Sequence, residues 1–182
     1  MTSVADDVPG VPADARYFRD VLGNFPTSVV AIATVDPDGE PVGMVVGSFT
    51  SVSLDPPLVA FLADEGSSTL PRILARGRFC ANVFAGEQEA LSRRMAKRGA
   101  DRFSGVAWHP SPLGNPIIDG VVAWVDCEID RTVGLGDHTL VVGRVAQLRA
   151  ETPGATPLLF FRGEYGNYHS TTALLLDRLL AG

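Results

Sequence analysis

The stretch Gly43–Phe61, GMVVGSFTSVSLDPPLVAF, decides how this chain folds. Its ends are apolar and rich in β-branched residues, as half-buried strands are. Its middle is crowded with hydroxyls at Ser48, Thr50, Ser51 and Ser53. Asp55-Pro56-Pro57 ends one pairing, because proline has no N–H to give a ladder, and LVAFLA (58–63) starts the next strand as a short continuous apolar run. Upstream, SVVAIATV (28–35) reads as a strand. Asp36-Pro37-Asp38-Gly39 follows it as a turn, since proline presets φ and glycine accepts the positive φ that closes a hairpin. The quoted stretch therefore opens as the return strand of that hairpin.

Around this centre the pattern alternates. ARYFRDVLGNFP (15–26) puts Tyr17, Phe18, Val21 and Leu22 at helical spacing, and Gly23 followed by Pro26 stops the helix. SSTLPRILARG (67–77) is predicted as a helix capped by Ser67 or Ser68, with Pro71 in its first turn and Gly77 past its end. RFCANVF (78–84) is a strand and EQEALSRRMAKRG (87–99) a helix whose basic residues form a solvated face. Prolines and glycines in residues 104–120 predict a surface loop outside the core, of a length often tied to function. VVAWVDCEIDRTV (121–133) and HTLVVGRVAQLRA (138–150) are long strands joined by GLGD, and PLLFFRGEYGNY (157–168) precedes a leucine-rich helix over 171–181. Strands outnumber helices and follow one another through hairpin-length turns. The fold class is mainly β: an antiparallel barrel with a few peripheral helices.

The chain has 182 residues, the size of one domain. Residues 1–14 carry no apolar periodicity and read as an arm, leaving 15–182 as the domain. No apolar run approaches the ~20 residues of a membrane span, and the first residues lack the basic and apolar regions of a secretion signal. A cytoplasmic protein is expected. Its net charge of −6 argues against a nucleic-acid partner. Cys80 and Cys127, the two cysteines, sit in strand-like runs without CxxC spacing, so reduced, half-buried thiols are expected.

Several chemistries lose their supports. GLGDHT (134–139) lacks a third glycine and continues as strand, unlike a dinucleotide-binding loop. There is no GxSxG nucleophile elbow. His109, His138 and His169 are isolated from one another and from the cysteines, so no metal site is expected. A chain with hydroxyl-rich turns and no acid–base or nucleophile constellation suits cofactor chemistry, where the protein supplies placement and electrostatics. Gly66-Ser67-Ser68-Thr69, ahead of a helix, is either an ordinary cap or a seat for a cofactor phosphate.

The segments GNFPTSVVAIAT, GMVVGSFTSVSLDPPLVAF, SSTLPRILARGRFCANVF, LGNPIIDG, CEI, GDHTLVVGRV and PLLFFRGEY occur in the order seen in the short-chain flavin reductases, the reductase components of two-component flavin-dependent monooxygenases. The resemblance runs from about Phe18 to Tyr168 and rests most on SFTSVSLDPPLV followed by GDH. It implies the split-barrel fold of FMN-binding proteins. It also implies that Val45, Val46, Gly47, Ser48 and Phe49 line the flavin ring and ribityl chain, continued by Ser51 and Val52. By the same resemblance Gly66, Ser67, Ser68 and Thr69, toward Ile73, hold the phosphate, and Asn82 lies near the ring. His138, together with Phe161, Arg162, Gly163 and Glu164, would meet the nicotinamide.

Each assignment has a plainer rival. Ser48 and Ser53 can serve backbone groups at a bulge, His138 can be a strand-end residue bonded to a neighbour, and Arg162 can be a solvated edge charge rather than a phosphate partner. Ser28 stands where glycine is frequent in the family, and Gly47 where a larger residue is. The implied function is hydride transfer from NADH or NADPH to FMN or FAD, with reduced flavin passed to a partner monooxygenase. The implied assembly is a homodimer, with the leucines of 173–182 packing on the partner or on their own barrel. The alternatives are a non-catalytic flavin- or haem-binding split barrel, and a flavin-linked reductase that acts on its own small organic substrate.

Overall fold

Residues 14–97, 99, 101–152 and 154–172 are described in a computed structural model of the chain. The centre of the fold is a seven-stranded sheet in the order β3-β2-β6-β9-β10-β5-β4, every pairing antiparallel. Its members are β2 (Val30–Val35), β3 (Pro41–Val46), β4 (Thr50–Leu54), β5 (Pro57–Asp64), β6 (Arg78–Val83), β9 (Ala123–Leu135) and β10 (His138–Ala150). The hairpin expected at the start forms: Ala31 faces Val45 and Thr34 faces Val42. The Asp36 N–H donates to Glu40 O at 2.9 Å, and Gly39 turns the chain at φ +89°.

The sheet curls until its edges approach. β3 touches β5, and Ser48 in the β3–β4 connection bonds the β5 backbone. The result is a barrel left open along one seam, which agrees with the expected antiparallel split barrel.

Period-2 alternation gives β2 two buried faces. Val30 and Ile32 join Phe61, Phe79, Ile73 and Val141 in one core cluster. Ala31 and Ala33 join Phe84, Ile117, Ile118 and Trp124 in a second. In the first cluster Phe61 and Phe79 meet edge to face, with ring centroids 5.2 Å apart. The Phe79 ring lies so close to β10 that a Cβ at Gly143 would fall 2.6 Å from Cζ, and the β9–β10 register shifts between Val142 and Gly143.

Three helices are peripheral among the described residues: α1 (Ala15–Leu22), α2 (Leu70–Arg76) and α3 (Glu89–Met95). Asp14, counted in the sequence with the arm, caps α1 through Oδ1, which accepts the Arg16 N–H at 2.8 Å. The helical spacing of Tyr17, Phe18, Val21 and Leu22 is real, yet α1 buries none of its residues. A short hairpin sheet, β1 (Thr27–Ser28), β11 (Leu158–Phe161) and β12 (Glu164–Asn167), stands beside the barrel.

Two expectations need correction. Residues 104–120 are not a loop outside the core: β7 (Trp108–Pro110) and β8 (Pro116–Ile118) pair there, and Ile117 and Ile118 are buried. Their prolines and glycines do mark turns, but side chains replace a backbone ladder in tying the segment down. Asn82 accepts the Ile118 N–H at 2.8 Å and donates to Pro116 O at 3.0 Å. Buried Asp126 accepts from Asn115 Nδ2 at 2.8 Å and from the Leu113 N–H at 3.0 Å.

The cysteines are free thiols as expected, but wholly rather than half buried. Burial, reinforced by the Asp126 carboxylate, pushes the Cys127 thiol up to about 12 and raises Cys80 in the same direction. Residues 1–13 of the expected arm and residues 173 onward of the expected leucine-rich helix lie outside the described residues. No described helix is long and apolar enough to cross a membrane.

Candidate active site

The open seam of the barrel is a cleft of about 520 Å³. One wall is Met44, Val45, Val46, Gly47 and Ser48, where β3 leaves the sheet, and the other is Leu62, Ala63 and Asp64 at the end of β5. Gly66, Ser67 and Ser68 continue the second wall, while Met95, Ala96, Arg102 and His138 complete the lining. Eight of the residues singled out in the sequence therefore share one cavity: Val45, Val46, Gly47, Ser48, Gly66, Ser67, Ser68 and His138.

Ser48 joins the two walls. Its hydroxyl donates to Leu62 O at 3.1 Å and accepts the Leu62 N–H at 2.9 Å, so this side chain serves the backbone. Gly47 is required by close approach, since a Cβ there would lie 2.7 Å from Thr27 Oγ1.

The Gly66–Thr69 segment is built by local bonds. The Asp64 carboxylate accepts the Gly66 N–H at 2.6 Å, and the Ser67 N–H donates to Asp64 O at 3.0 Å. Ser67 Oγ then accepts the amides of Thr69 and Leu70 at 3.2 and 3.3 Å. Ser67 is thus the capping hydroxyl, although Thr69 occupies the cap position itself. Because Ser67 Oγ engages these amides as an acceptor, its own hydrogen is still available to donate into the cleft.

Arg102 is a residue that sequence reasoning missed. Its Nε donates to Lys97 O at 3.1 Å and its Nη1 to Gly43 O and Thr69 Oγ1 at 2.8 and 2.9 Å. The two N–H groups on Nη2 have no hydrogen-bond partner among the described residues. Partial burial pushes the guanidinium's pKa down from its usual value, but such a group stays charged. It is a fixed cation at one end of the cleft. Nothing in ADRF (100–103) marks it; only the folded contact with Gly43 and Thr69 does.

His138 opens β10 at the rim, with its side chain 42% exposed, and its Nδ1 lies 2.7 Å from Asp137 Oδ1. That hydrogen bond, helped by the charges of His138 and Arg19, holds the Asp137 carboxyl below the usual carboxylate range.

The remaining candidates lie elsewhere. Phe49 packs against the barrel core, Ser51 and Val52 are exposed on edge strand β4, and Ile73 is buried in the core. Asn82 is wholly buried and spends its amide on the β8 segment. Phe161, Arg162, Gly163 and Glu164 form the β11–β12 turn, with Arg162 and Gly163 at φ +52° and +84°. Arg162 donates through Nε and Nη2 to Asn24 Oδ1 at 2.9 and 2.6 Å, which ties this turn to the end of α1. A hollow of about 170 Å³ between Phe160, Tyr165, Ser28 and Val45 separates the hairpin from the cleft.

A second groove, about 380 Å³, adjoins the first through Ser68 and Arg102 and is bordered by Thr69, Arg72 and Phe103. Arg72 is locked to buried Asp36 by a two-pronged ion pair, with Nε 2.9 Å from Oδ2 and Nη2 closer still. The Arg72 hydrogen bond is the main reason that the Asp36 carboxyl sits below its usual range, followed by the Glu40 N–H. Among the described residues no group of three or more His, Cys, Asp or Glu side chains is placed to hold a metal ion.

Comparison with known proteins identifies the family of the chain. A family model described as a flavin reductase like domain matches residues 22–169. A flavin reductase of Pseudomonas putida is 47% identical over 92% of this chain and 98% of its own. HsaB, the reductase subunit of a flavin-dependent monooxygenase in Rhodococcus jostii RHA1, is 43% identical over 91% of this chain and 85% of its own. Among solved structures, the Streptomyces globisporus NADH:FAD oxidoreductase SgcE6, in complex with NAD and FAD fragments, superposes with a TM-score of 0.82 at 34% identity, covering 88% of this chain and 96% of that one. With the matched residues reaching from the end of α1 through both walls of the cleft to the last hairpin, this chain belongs to the flavin reductase-like family.

Proposed function

We propose that the protein is an NAD(P)H-dependent flavin reductase that supplies reduced flavin to a partner monooxygenase. The observation that carries this reading is the polarity of the cleft. Apolar Met44, Val45 and Val46 form a wall suited to a planar ring, and Arg102 with the Ser67 hydroxyl forms an end suited to a phosphate. The donor set fits FMN. The adjoining groove at Ser68, Thr69 and Arg72 adds room for a second phosphate and an adenosine, which favours FAD.

When bound, the flavin accepts a hydride from the reduced nicotinamide. The chain's contribution is placement: reacting groups held in a near-attack geometry react faster than free ones, and the Val45–Ser48 wall keeps water from one side. Arg102 and Ser67 anchor the anionic end. His138, its ring oriented by Asp137, stands at the rim, where the nicotinamide enters.

The exposed stripe of Tyr17, Phe18, Val21 and Leu22 on α1 supports a homodimer, because apolar side chains aligned on one helix face favour burial against a partner. Two reduced, buried thiols fit a cytoplasmic setting.

The test is anaerobic mixing of the purified protein with FMN or FAD and with NADH or NADPH, following the flavin absorbance band. Bleaching faster than without protein is expected. A protein that binds flavin but bleaches it with neither nicotinamide is a carrier and not a reductase.

A further inference from the structure

Asp64 ends β5 and faces His138 across the β5–β10 ladder. It lines the cleft between two fixed points. On one side Ser48 is tied to Leu62, two residues before it. On the other, Arg102 is tied to Gly43 and to Thr69, five residues after it. Along the facing wall the same two points, Gly43 and Ser48, are the ends of a stretch that follows β3 to Val46 and then leaves the sheet. Asp64 therefore lines the cleft between its Ser48 end and its Arg102 end.

Its Oδ1 is committed to the Gly66 N–H at 2.6 Å, an approach that a Cβ on Gly66 would obstruct at 2.9 Å. Its Oδ2 has no hydrogen-bond partner among the described residues, and the carboxylate is in no ion pair there. A carboxylate in this position repels a phosphate and directs it to Arg102. It accepts O–H donors through short, charge-assisted bonds. A ligand with a planar ring toward the Ser48 end, a polyhydroxylated linker and an anionic end matches the order Ser48, Asp64, Arg102.

We propose that Asp64 accepts hydrogen bonds from the hydroxyls of the flavin's ribityl linker, and so selects flavins that carry a polyol chain over those that do not. This rests on the flavin-reductase reading above and assigns a specificity-determining residue within that site.

The test measures dissociation constants of lumiflavin, riboflavin and FMN, by fluorescence titration, for the wild type, Asp64→Asn and Asp64→Ala. Asp64→Asn keeps an oxygen for the Gly66 N–H while removing the charge, so it separates linker recognition from loop geometry. Riboflavin should bind the wild type more tightly than lumiflavin, and both variants should shrink that preference roughly tenfold because riboflavin is weakened more than lumiflavin. An unchanged preference in both variants, or lumiflavin weakened as much as riboflavin, overturns the proposal. A wild type that binds none of the three overturns the flavin-reductase reading itself, a result distinct from either.

Discussion

The Ser48 hydroxyl and the Leu62 backbone hold each other in both directions, Oγ donating to the carbonyl at 3.1 Å and accepting from the amide at 2.9 Å. One small side chain thereby pins the edge of β3 to β5 at the point where the barrel opens. Ser48→Ala leaves both groups of a half-buried residue without this partner. The expected loss is about 1–3 kcal/mol of stability, read as a lower denaturant midpoint with the slope unchanged. Flavin affinity should fall less than stability. An alanine variant as stable as the wild type would show that water replaces the hydroxyl at no cost.

Arg102 makes a second, independent prediction. Arg102→Met removes the cation but keeps much of the apolar stem. FMN affinity should drop roughly tenfold to a hundredfold, the worth of hydrogen bonds to a charged group, while riboflavin, which has no phosphate, loses little. Equal losses for the two ligands would assign Arg102 to holding Gly43 and Thr69 rather than to the phosphate.

These two residues mark how far the sequence could be read. The β2–β3 hairpin, the break at Asp55-Pro56-Pro57 and the long β9–β10 ribbon are local, written in turn residues and β-branched runs, and they were legible. The clustering of Val45–Ser48 with Gly66–Ser68 and His138 came from the family resemblance, because nothing local says that a strand end and a helix cap share a cleft. Arg102 escaped because its meaning lies in contacts 33 and 59 residues away in sequence. Residues 104–120 were misread for a similar reason. Their proline and glycine content reports turns, but the bonds that bury Ile117 and Ile118 come from Asn82 and Asp126 on other strands.

His138 is poised at the rim with its ring held by Asp137. His138→Ala should raise the KM for NADH or slow flavin reduction, with the flavin dissociation constant little changed. Kinetics identical to the wild type would remove His138 from the site.

The ion pair between Asp36 and Arg72 ties the β2–β3 turn to α2, and so to the segment carrying Ser67. The folded Asp36 carboxyl titrates below its usual value, so the native state binds fewer protons than the unfolded chain between the two values. Its stabilisation is complete above about pH 4, the ordinary carboxylate value, and is lost as pH falls through the lower folded value. Melting temperature measured from pH 7 to pH 3 should therefore fall more steeply for the wild type than for Arg72→Met, with the curves converging in acid. Parallel curves would mean that the pair contributes nothing that titrates.

Gly47 offers the most direct test of how tightly the cleft wall is set. A Cβ there would lie 2.7 Å from Thr27 Oγ1 and 3.2 Å from Thr27 Cβ, and Thr27 is itself fixed opposite Phe160 in the β1–β11 pairing. Gly47→Ala must turn the Thr27 side chain aside or part β1 from the end of β3, at a cost of about 1–3 kcal/mol for overpacking. Gly47 lines both the cleft and the Phe160–Tyr165 hollow, so a change there that loosens the wall should lower flavin affinity with stability. Thr27→Ala clears the nearest atom, and the double variant should recover part of both losses, giving a coupling above the ~0.5 kcal/mol expected of independent sites. Strict additivity in the double-mutant cycle would locate the cost of Gly47→Ala in its own backbone and not in the contact with Thr27.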